Sequence, residues 1–345
     1  MMSINKVTFL ESVDASTFED LKGYTNLGVI VDENTKRDCY PIVKEFLPNH
    51  LLIEIESGEE NKTLMTCQHI WQELTDAGFD RKAAVLDLGG GVIGDMGGFC
   101  ASTYKRGIDF WQMPTTLLSQ VDASVGGKLG IDFGKLKNHI GVFRVPNNVL
   151  IYPKFIQSLP ANELRSGFAE VIKHCLIQDA EHWKTVSSKP LSDQDLEAII
   201  PHSINIKDKV VTSDPTEKGL RKILNFGHTI GHAIESYLLD IPGRKLLHGE
   251  AIAVGMIAEA WLSTKFTGLS DEELKDIQKY ILSVYGKVEL LESDLEHLYA
   301  YLLQDKKNTG KKLSHSLLTK IGECTYDQFI EWEDIEKSIR YYMSL

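Results

Sequence analysis

Cysteine is scarce in this chain. The five residues Cys39, Cys67, Cys100, Cys175 and Cys324 are odd in number and contain no C-x-x-C pair, which argues against structural disulfides. Cys175 reads as a small buried apolar residue. No apolar stretch is long and uncharged enough to span a bilayer, and the early segment, with Asn5, Lys6 and Glu11, lacks the core of a signal peptide. A cytoplasmic protein with no membrane partner is the expectation. Basic charge is also short, with 37 Lys and Arg against 49 Asp and Glu and a net charge of −12, so nothing suggests a nucleic-acid partner. Internal repeats and low-complexity segments are absent too. What remains is a globular composition, 43% hydrophobic and 25% charged over 345 residues, enough for two domains.

Histidine carries the first positive signal. His228 and His232 are four residues apart in an apolar segment of helical period, so both rings project from one helix face. A third, His248, follows a loop and precedes the apolar run Ala251 to Leu262. A lone H-x-x-x-H is more often structural than metal-binding. Here Gly167-Phe168-Ala169-Glu170-Val171-Ile172-Lys173 adds a carboxylate within an apolar helical turn, and a buried Glu needs a partner such as a metal. Imidazole nitrogen and carboxylate oxygen suit a catalytic zinc that keeps one position open.

Glycine carries the second signal. The apolar run Ala83 to Leu88 leads into Gly89-Gly90-Gly91-Val92-Ile93-Gly94-Asp95, the order strand, glycine turn, helix start. Such glycines let backbone approach a pyrophosphate and aim helix amides at it. Alone, the pattern is equally a tight turn needing positive φ. It departs from a plain dinucleotide fingerprint, because the strand candidates 28–32 and 51–55 precede it. The ribose-binding acid could be Asp109, with Asp32 and Asn34 as rivals. Between the two signals, 114–128 and Lys137-Asn138 supply hydroxyls, Asp122, a Gly-Gly pair and the cation Lys128. Lysine beside glycine-rich backbone suits phosphate, so this run reads as the lining of a cleft.

The order of elements predicts an α/β fold: an N-terminal parallel-sheet nucleotide-binding domain over 1–160 and a mostly α-helical metal-binding domain over 161–345. Helices are expected over 62–77, 162–178, 192–211, 220–239, 251–266 and 271–284, with Pro201 a bend or break, and one late strand over 316–321. A cleft between domains is the default ligand site.

Taken together, Gly-Gly-Gly-Val-Ile-Gly-Asp, Pro-Thr-Thr-Leu-Leu, Val-Asp-Ala-Ser-Val-Gly-Gly-Lys, Ala-Glu-Val-Ile-Lys, Asn-Phe-Gly-His-Thr-Ile-Gly-His, Leu-His-Gly-Glu and Asp305-Lys306-Lys307 resemble the 3-dehydroquinate synthases. The resemblance runs from Asp32 to Lys307. It implies conversion of 3-deoxy-D-arabino-heptulosonate 7-phosphate to 3-dehydroquinate and phosphate, in aromatic amino acid biosynthesis, by transient oxidation with NAD, phosphate elimination, reduction and aldol closure. The implied cofactors are NAD and a divalent metal, zinc or cobalt, with Glu170, His228 and His248 as ligands. His232 would then lie by the substrate phosphate and not on the metal. The nucleotide would contact Asp32, Asn34, Glu59, Lys62, Gly90, Gly91, Val92, Asp95, Thr115, Thr116, Asp122, Lys137 and Ser158. The anionic sugar phosphate would contact Asp122, Lys128, Asn138, Lys173, Lys207, Arg221, Asn225, His232 and one of Lys306 or Lys307. Arg106 matches an arginine that reaches a neighbouring subunit's phosphate pocket, which implies a homodimer.

The chain departs from the family pattern at Lys135-Leu136-Lys137-Asn138, at Ala123 and Leu129, and in a longer 240–245 loop. Two other readings compete: a different sugar phosphate cyclase, such as an aminodehydroquinate synthase, and an NAD-dependent polyol dehydrogenase. A non-catalytic binding protein is the alternative outside enzymes. It is disfavoured by so many costly polar groups in place.

Overall fold

The structure is a computed structural model that describes residues 6–134, 136–239, 241–303 and 313–345. The chain divides into two compact units, Met1–Pro160 and Ala161–Leu345.

The first unit holds a six-stranded sheet built from β1 (Val7–Phe9), β2 (Leu27–Asp32), β3 (Leu51–Ile55), β4 (Ala84–Gly89), β5 (Asp109–Pro114) and the later strand Asn148–Ile151. A separate antiparallel hairpin, β6 (Lys128–Phe133) and β7 (Leu136–Phe143), lies between β5 and that last strand, which is therefore β8. The sheet order is β1-β8-β5-β4-β2-β3 and every pairing is parallel. Parallel strands are covered on both faces and so read as continuous apolar runs; β2 is buried over Leu27–Val31 and β4 throughout. Helices α1 (Glu33–Asp38), α2 (Tyr40–Val43), α3 (Leu64–Asp76) and α4 (Gly91–Thr103) belong to this unit. Its two apolar clusters centre on Ile70, Val85 and Phe110, and on Val29, Leu86 and Met113.

The second unit is helical: α5 (Ala161–Gln178), α6 (Ala180–Ser187), α7 (Leu196–Ser213), α8 (His228–Leu239), α9 (His248–Phe266), α10 (Asp271–Tyr285), α11 (Asp294–Leu303) and α12 (Trp332–Ser344). A two-stranded hairpin, β9 (Leu313–Lys320) and β10 (Glu323–Ile330), completes it. Helix α9 is buried along nearly its whole length, as is α5 from Ser166 to Ile177. Glycines let these helices touch: a Cβ on Gly255 would sit 2.0 Å from the carbonyl oxygen of Gly227, and one on Gly249 would sit 1.9 Å from that of Ser166.

Two expectations need correcting. The helix expected over 220–239 is two elements, a 3₁₀ run Leu220–Asn225 and then α8, because Gly227 takes φ +80° and breaks the register. Helix α7 continues through Pro201; near a helix start the ring deletes one N–H bond, and burial of Ile199, Ile200, Ile204 and Ile206 outweighs it. No helix among the described residues is long and apolar enough to cross a membrane.

Candidate active site

In the first unit the chemistry gathers at the carboxyl ends of adjacent strands, where open α/β sheets bind ligands. Asp32 ends β2 and caps α1, accepting from the Thr35 amide at 2.7 Å. Gly89 ends β4; Gly90 caps α4, and Gly91 and Val92 open it, so amides at a helix N-terminus face outward without a side-chain cap. Pro114 ends β5 and is followed by Thr115, buried, and Thr116, whose hydroxyl meets Ser119 at 2.9 Å. Close packing explains Gly90, whereas a side chain at Gly91 would make only ordinary contact. A Cβ on Gly90 would lie 3.0 Å from Thr116 and one on Gly91 would lie 3.6 Å from Ala123. Asp122 lies in a π-helical turn, Ser119–Ala123, a geometry frequent at functional sites. Nothing in the local sequence signals that turn.

A charge cluster forms beside the glycine turn. Lys62, 3% exposed, donates to Asp95 and to the side-chain oxygen of Asn138, each at 2.6 Å. Burial opposes its charge, but Asp95 and Glu59 outweigh that and hold the ammonium above its usual range. Lys137 reaches Glu59 at 3.7 Å. The structure thus brings together Glu59, Lys62, Asp95, Lys137 and Asn138, residues scattered over about eighty positions of sequence. Asn138 has φ +49°, which asparagine tolerates better than most residues. Asn34 is exposed and bonds Ser57 at 3.3 Å; Lys128, Arg106 and Ser158 are exposed. Arg106 lies in a run of left-handed residues, Lys105, Arg106 and Gly107.

In the second unit, α5, α8 and α9 bring Glu170, His228 and His248 together. Glu170 is fully buried, and one carboxylate oxygen, Oε1, lies 3.3 Å from His228 Nε2 and 3.5 Å from His248 Nε2. That oxygen has no hydrogen-bond partner among the described residues. The other oxygen accepts from Lys173, one turn away and equally buried. Each imidazole is tied at its far nitrogen. His228 Nδ1 donates to the Phe226 carbonyl at 3.1 Å, and His248 Nδ1 meets the buried Glu235 carboxylate at 3.2 Å. The Nε2 atoms are thereby aimed at Glu170. A tetrahedral cation with bonds of about 2.0–2.2 Å separates its ligands by about 3.4 Å, and the distances from Glu170 Oε1 to the two Nε2 atoms match that spacing. Burial alone would raise the Glu170 carboxyl, but Lys173 and then His228 outweigh it and hold the group well below its usual range. Burial also lowers His228. In His248 the Glu235 and Glu170 carboxylates overcome burial and push the ring up to about 10.

His232 stands one turn beyond His228 and is exposed, its ring 5.0 Å from that of His228 and 5.6 Å from that of His248. Ring nitrogens of all three histidines lie within 4.8 Å of one another, so distance alone allows an all-histidine set. The Oε1 atom of Glu170 favours the carboxylate set, because it is buried with no hydrogen-bond partner among the described residues while Lys173 serves the other oxygen.

The same unit buries two further cations. Lys207 on α7 is 6% exposed and Arg221 2%. The Arg221 guanidinium donates to the Pro215 carbonyl at 2.8 Å, and Asp214 holds its loop by accepting from the amides of Lys218, Gly219 and Arg221. Asn225 donates to Glu217 at 2.8 Å. Asp214, Glu217 and Glu235 escaped sequence reading because their partners are loop amides or side chains that folding brings near. Asp305, Lys306 and Lys307 lie outside the described residues.

Comparison with known proteins shows the family. The family models described as 3-dehydroquinate synthase N-terminal and 3-dehydroquinate synthase C-terminal match residues 52–166 and 167–308. A curated 3-dehydroquinate synthase of Parabacteroides distasonis is 37% identical over 348 residues, 99% of this chain and 98% of that protein. A 2-deoxy-scyllo-inosose synthase, solved with carbaglucose-6-phosphate, NAD+ and Co2+, superposes with a TM-score of 0.85 at 25% identity, covering 97% of this chain and 96% of the other. The 2-epi-5-epi-valiolone synthase of Streptomyces hygroscopicus reaches 0.88 at 23% identity over 100% of this chain and 98% of its own, a likeness of fold alone. The fold is that of the sugar phosphate cyclases. Within that class, the chain belongs to the 3-dehydroquinate synthase family.

Proposed function

We propose that this chain converts 3-deoxy-D-arabino-heptulosonate 7-phosphate to 3-dehydroquinate and phosphate, as a phosphate-eliminating carbon–oxygen lyase. The observation that carries this, beyond membership of the family, is the buried Glu170 oxygen between two imidazole Nε2 atoms at 3.3 and 3.5 Å. Glu170, His228 and His248 would hold the metal, zinc or cobalt. When bound, NAD supplies reversible hydride acceptance and the metal polarises a substrate hydroxyl.

The chain's own residues do the rest. The amides at Gly90–Val92 and the side chains of Asp32, Asn34, Glu59, Lys62, Asp95, Thr115, Thr116, Asp122 and Lys137 would bind the nucleotide. Lys128, Asn138, Lys173, Lys207, Arg221, Asn225 and His232 would bind and orient a substrate carrying a carboxylate and a phosphate. Buried Lys207 and Arg221 create a positive local field in a chain of net charge −12. They favour a substrate with a carboxylate over a sugar phosphate that lacks one. Lys173 neutralises Glu170 and keeps it ionised, ready to ligate. His232, exposed beside the cluster, is suited to hold or pass a proton near the leaving phosphate. Arg106 on the surface is assigned to a partner subunit's phosphate pocket, in a cytoplasmic homodimer.

The test is phosphate release from the heptulosonate phosphate with NAD present. Chelator-treated protein is expected to be inactive and to regain turnover on addition of Zn2+ or Co2+. Full turnover after verified metal removal would defeat the proposal.

A further inference from the structure

Helices α8 and α9 run antiparallel and touch at glycine, with Gly227 and Gly231 of one against Gly255 and the Ala251–Ile252 backbone of the other. Each begins with one of the two histidines whose Nε2 faces Glu170: His228 opens α8 and His248 opens α9. Each also sends a buried carboxylate to the other's first turn. Glu259, on α9 and 0% exposed, accepts from the Gly227 amide at 2.6 Å and from the Ile230 amide at 3.2 Å. It thereby satisfies amides at the start of α8 that no local side chain caps. Glu235, on α8 and 5% exposed, meets His248 Nδ1 at 3.2 Å. Neither residue is within reach of sequence arguments, since each pairing joins one helix to another.

We propose that Glu235 and Glu259 are positioning residues that form a reciprocal clamp, fixing the tautomer of His248 and the placement of both histidines so that both Nε2 atoms face Glu170. The inference rests on the metal reading above. Glu235 acts directly, holding Nδ1–H of His248 and leaving Nε2 as the ligand. Glu259 acts through backbone: it fixes Gly227, which carries the left-handed turn, and so the direction in which α8 starts and His228 points. His315, buried on β9, lies 3.5 Å from Glu259 and closes that side of the carboxylate. Because the helices meet backbone to backbone, small rotations of either first turn move an imidazole and are not absorbed by side-chain repacking. Carboxylates behind metal-bound histidines tune affinity in this way, and their loss costs about 10–100-fold.

The experiment compares the full chain with Glu235→Gln and Glu259→Gln. Zn2+ affinity is read by competition with a chromophoric chelator, the visible absorption of the Co2+ form reports geometry, and the Tm of chelator-treated protein reports stability. Gln keeps the volume but puts an NH2 where an acceptor is needed. Glu235→Gln is expected to bind Zn2+ about 10–100-fold more weakly, Glu259→Gln to bind it more weakly as well, and both to change the Co2+ absorption. Residues of merely structural role would lower the metal-free Tm while leaving the Zn2+ affinity of the folded fraction unchanged, and that result overturns the clamp. If a Gln variant fails to fold, Glu259→Asp, which keeps the charge but shortens the reach, is expected to fold and still lose affinity; undiminished affinity there also overturns it. Failure of the unaltered chain to bind Zn2+ more tightly than His248→Ala overturns the metal reading itself, and the clamp with it.

Discussion

Asp87 in the first unit and Glu170 in the second are both sealed from solvent, at 1% and 0% exposure, yet they sit in opposite environments. Asp87 lies inside β4, level with Gln112 on β5, and is covered by Gly97, whose Cβ would fall 1.9 Å from a carboxyl oxygen. Neither oxygen has a hydrogen-bond partner among the described residues. Burial, reinforced by Asp95, pushes it well above the usual carboxyl range, which favours the neutral acid. Glu170 faces a buried ammonium and two imidazoles and stays ionised. Burial therefore does not mark a ligand-binding carboxylate; the charges around it do. The units differ in the same sense. The first builds its site largely from helix amides and glycine at strand ends, the second from side-chain charges in a helical core.

The largest test of this contrast is Glu170→Gln, which removes the anion while keeping shape. It is expected to lower metal content after gel filtration to near zero and abolish phosphate release, whereas His232→Ala keeps near-stoichiometric metal and loses activity. Metal kept in Glu170→Gln and lost in His232→Ala would show that the ligand set is the three histidines. Next comes Arg221→Ala. Charge-assisted hydrogen bonds contribute about 1.5–3 kcal/mol each, so kcat/KM for the heptulosonate phosphate should fall by about tenfold or more while the NAD dissociation constant stays close to that of the unaltered chain. A matching loss of NAD affinity would mean that Arg221 serves the fold and not the substrate.

Asp87→Asn has the smallest expected effect and the opposite sign. A carboxyl whose folded pKa is raised contributes fully below its unfolded value, near 3.8, and loses that contribution as pH climbs toward the folded pKa. Asparagine does not ionise. Its Tm advantage over Asp87 should thus be absent in acid and grow as pH rises above about 4. An advantage independent of pH would refute the neutral-acid assignment.

Local pattern carried much of the fold. The strands at 27–32, 51–55 and 84–89 are apolar runs bounded by turn residues, and α5 is a long apolar helix, so each is legible without its neighbours. The β6–β7 hairpin was not, because Gly126-Gly127 and Gly134 make it read as loop, and its exposed Phe133 and Phe143 do not alternate with a buried face in any visible way. The break before α8 hides in one glycine, and β10 follows β9 with bulges that obscure its alternation. For the candidate site, motifs named residue types, but their relations are tertiary. Lys62 meeting Asn138, Glu235 meeting His248 and Glu259 capping α8 link segments that sequence spacing cannot join.

Any oxidation of substrate is proposed to be internal and reversed within one turnover. Phosphate and NADH followed together, with purified chain, Zn2+, the heptulosonate phosphate and NAD far below substrate concentration, test it directly. Many phosphates are expected to be released per NAD, with no build-up of absorbance at the NADH band. One NADH formed per product, with turnover stopping when NAD is consumed, would contradict it and mark the chain as a dehydrogenase.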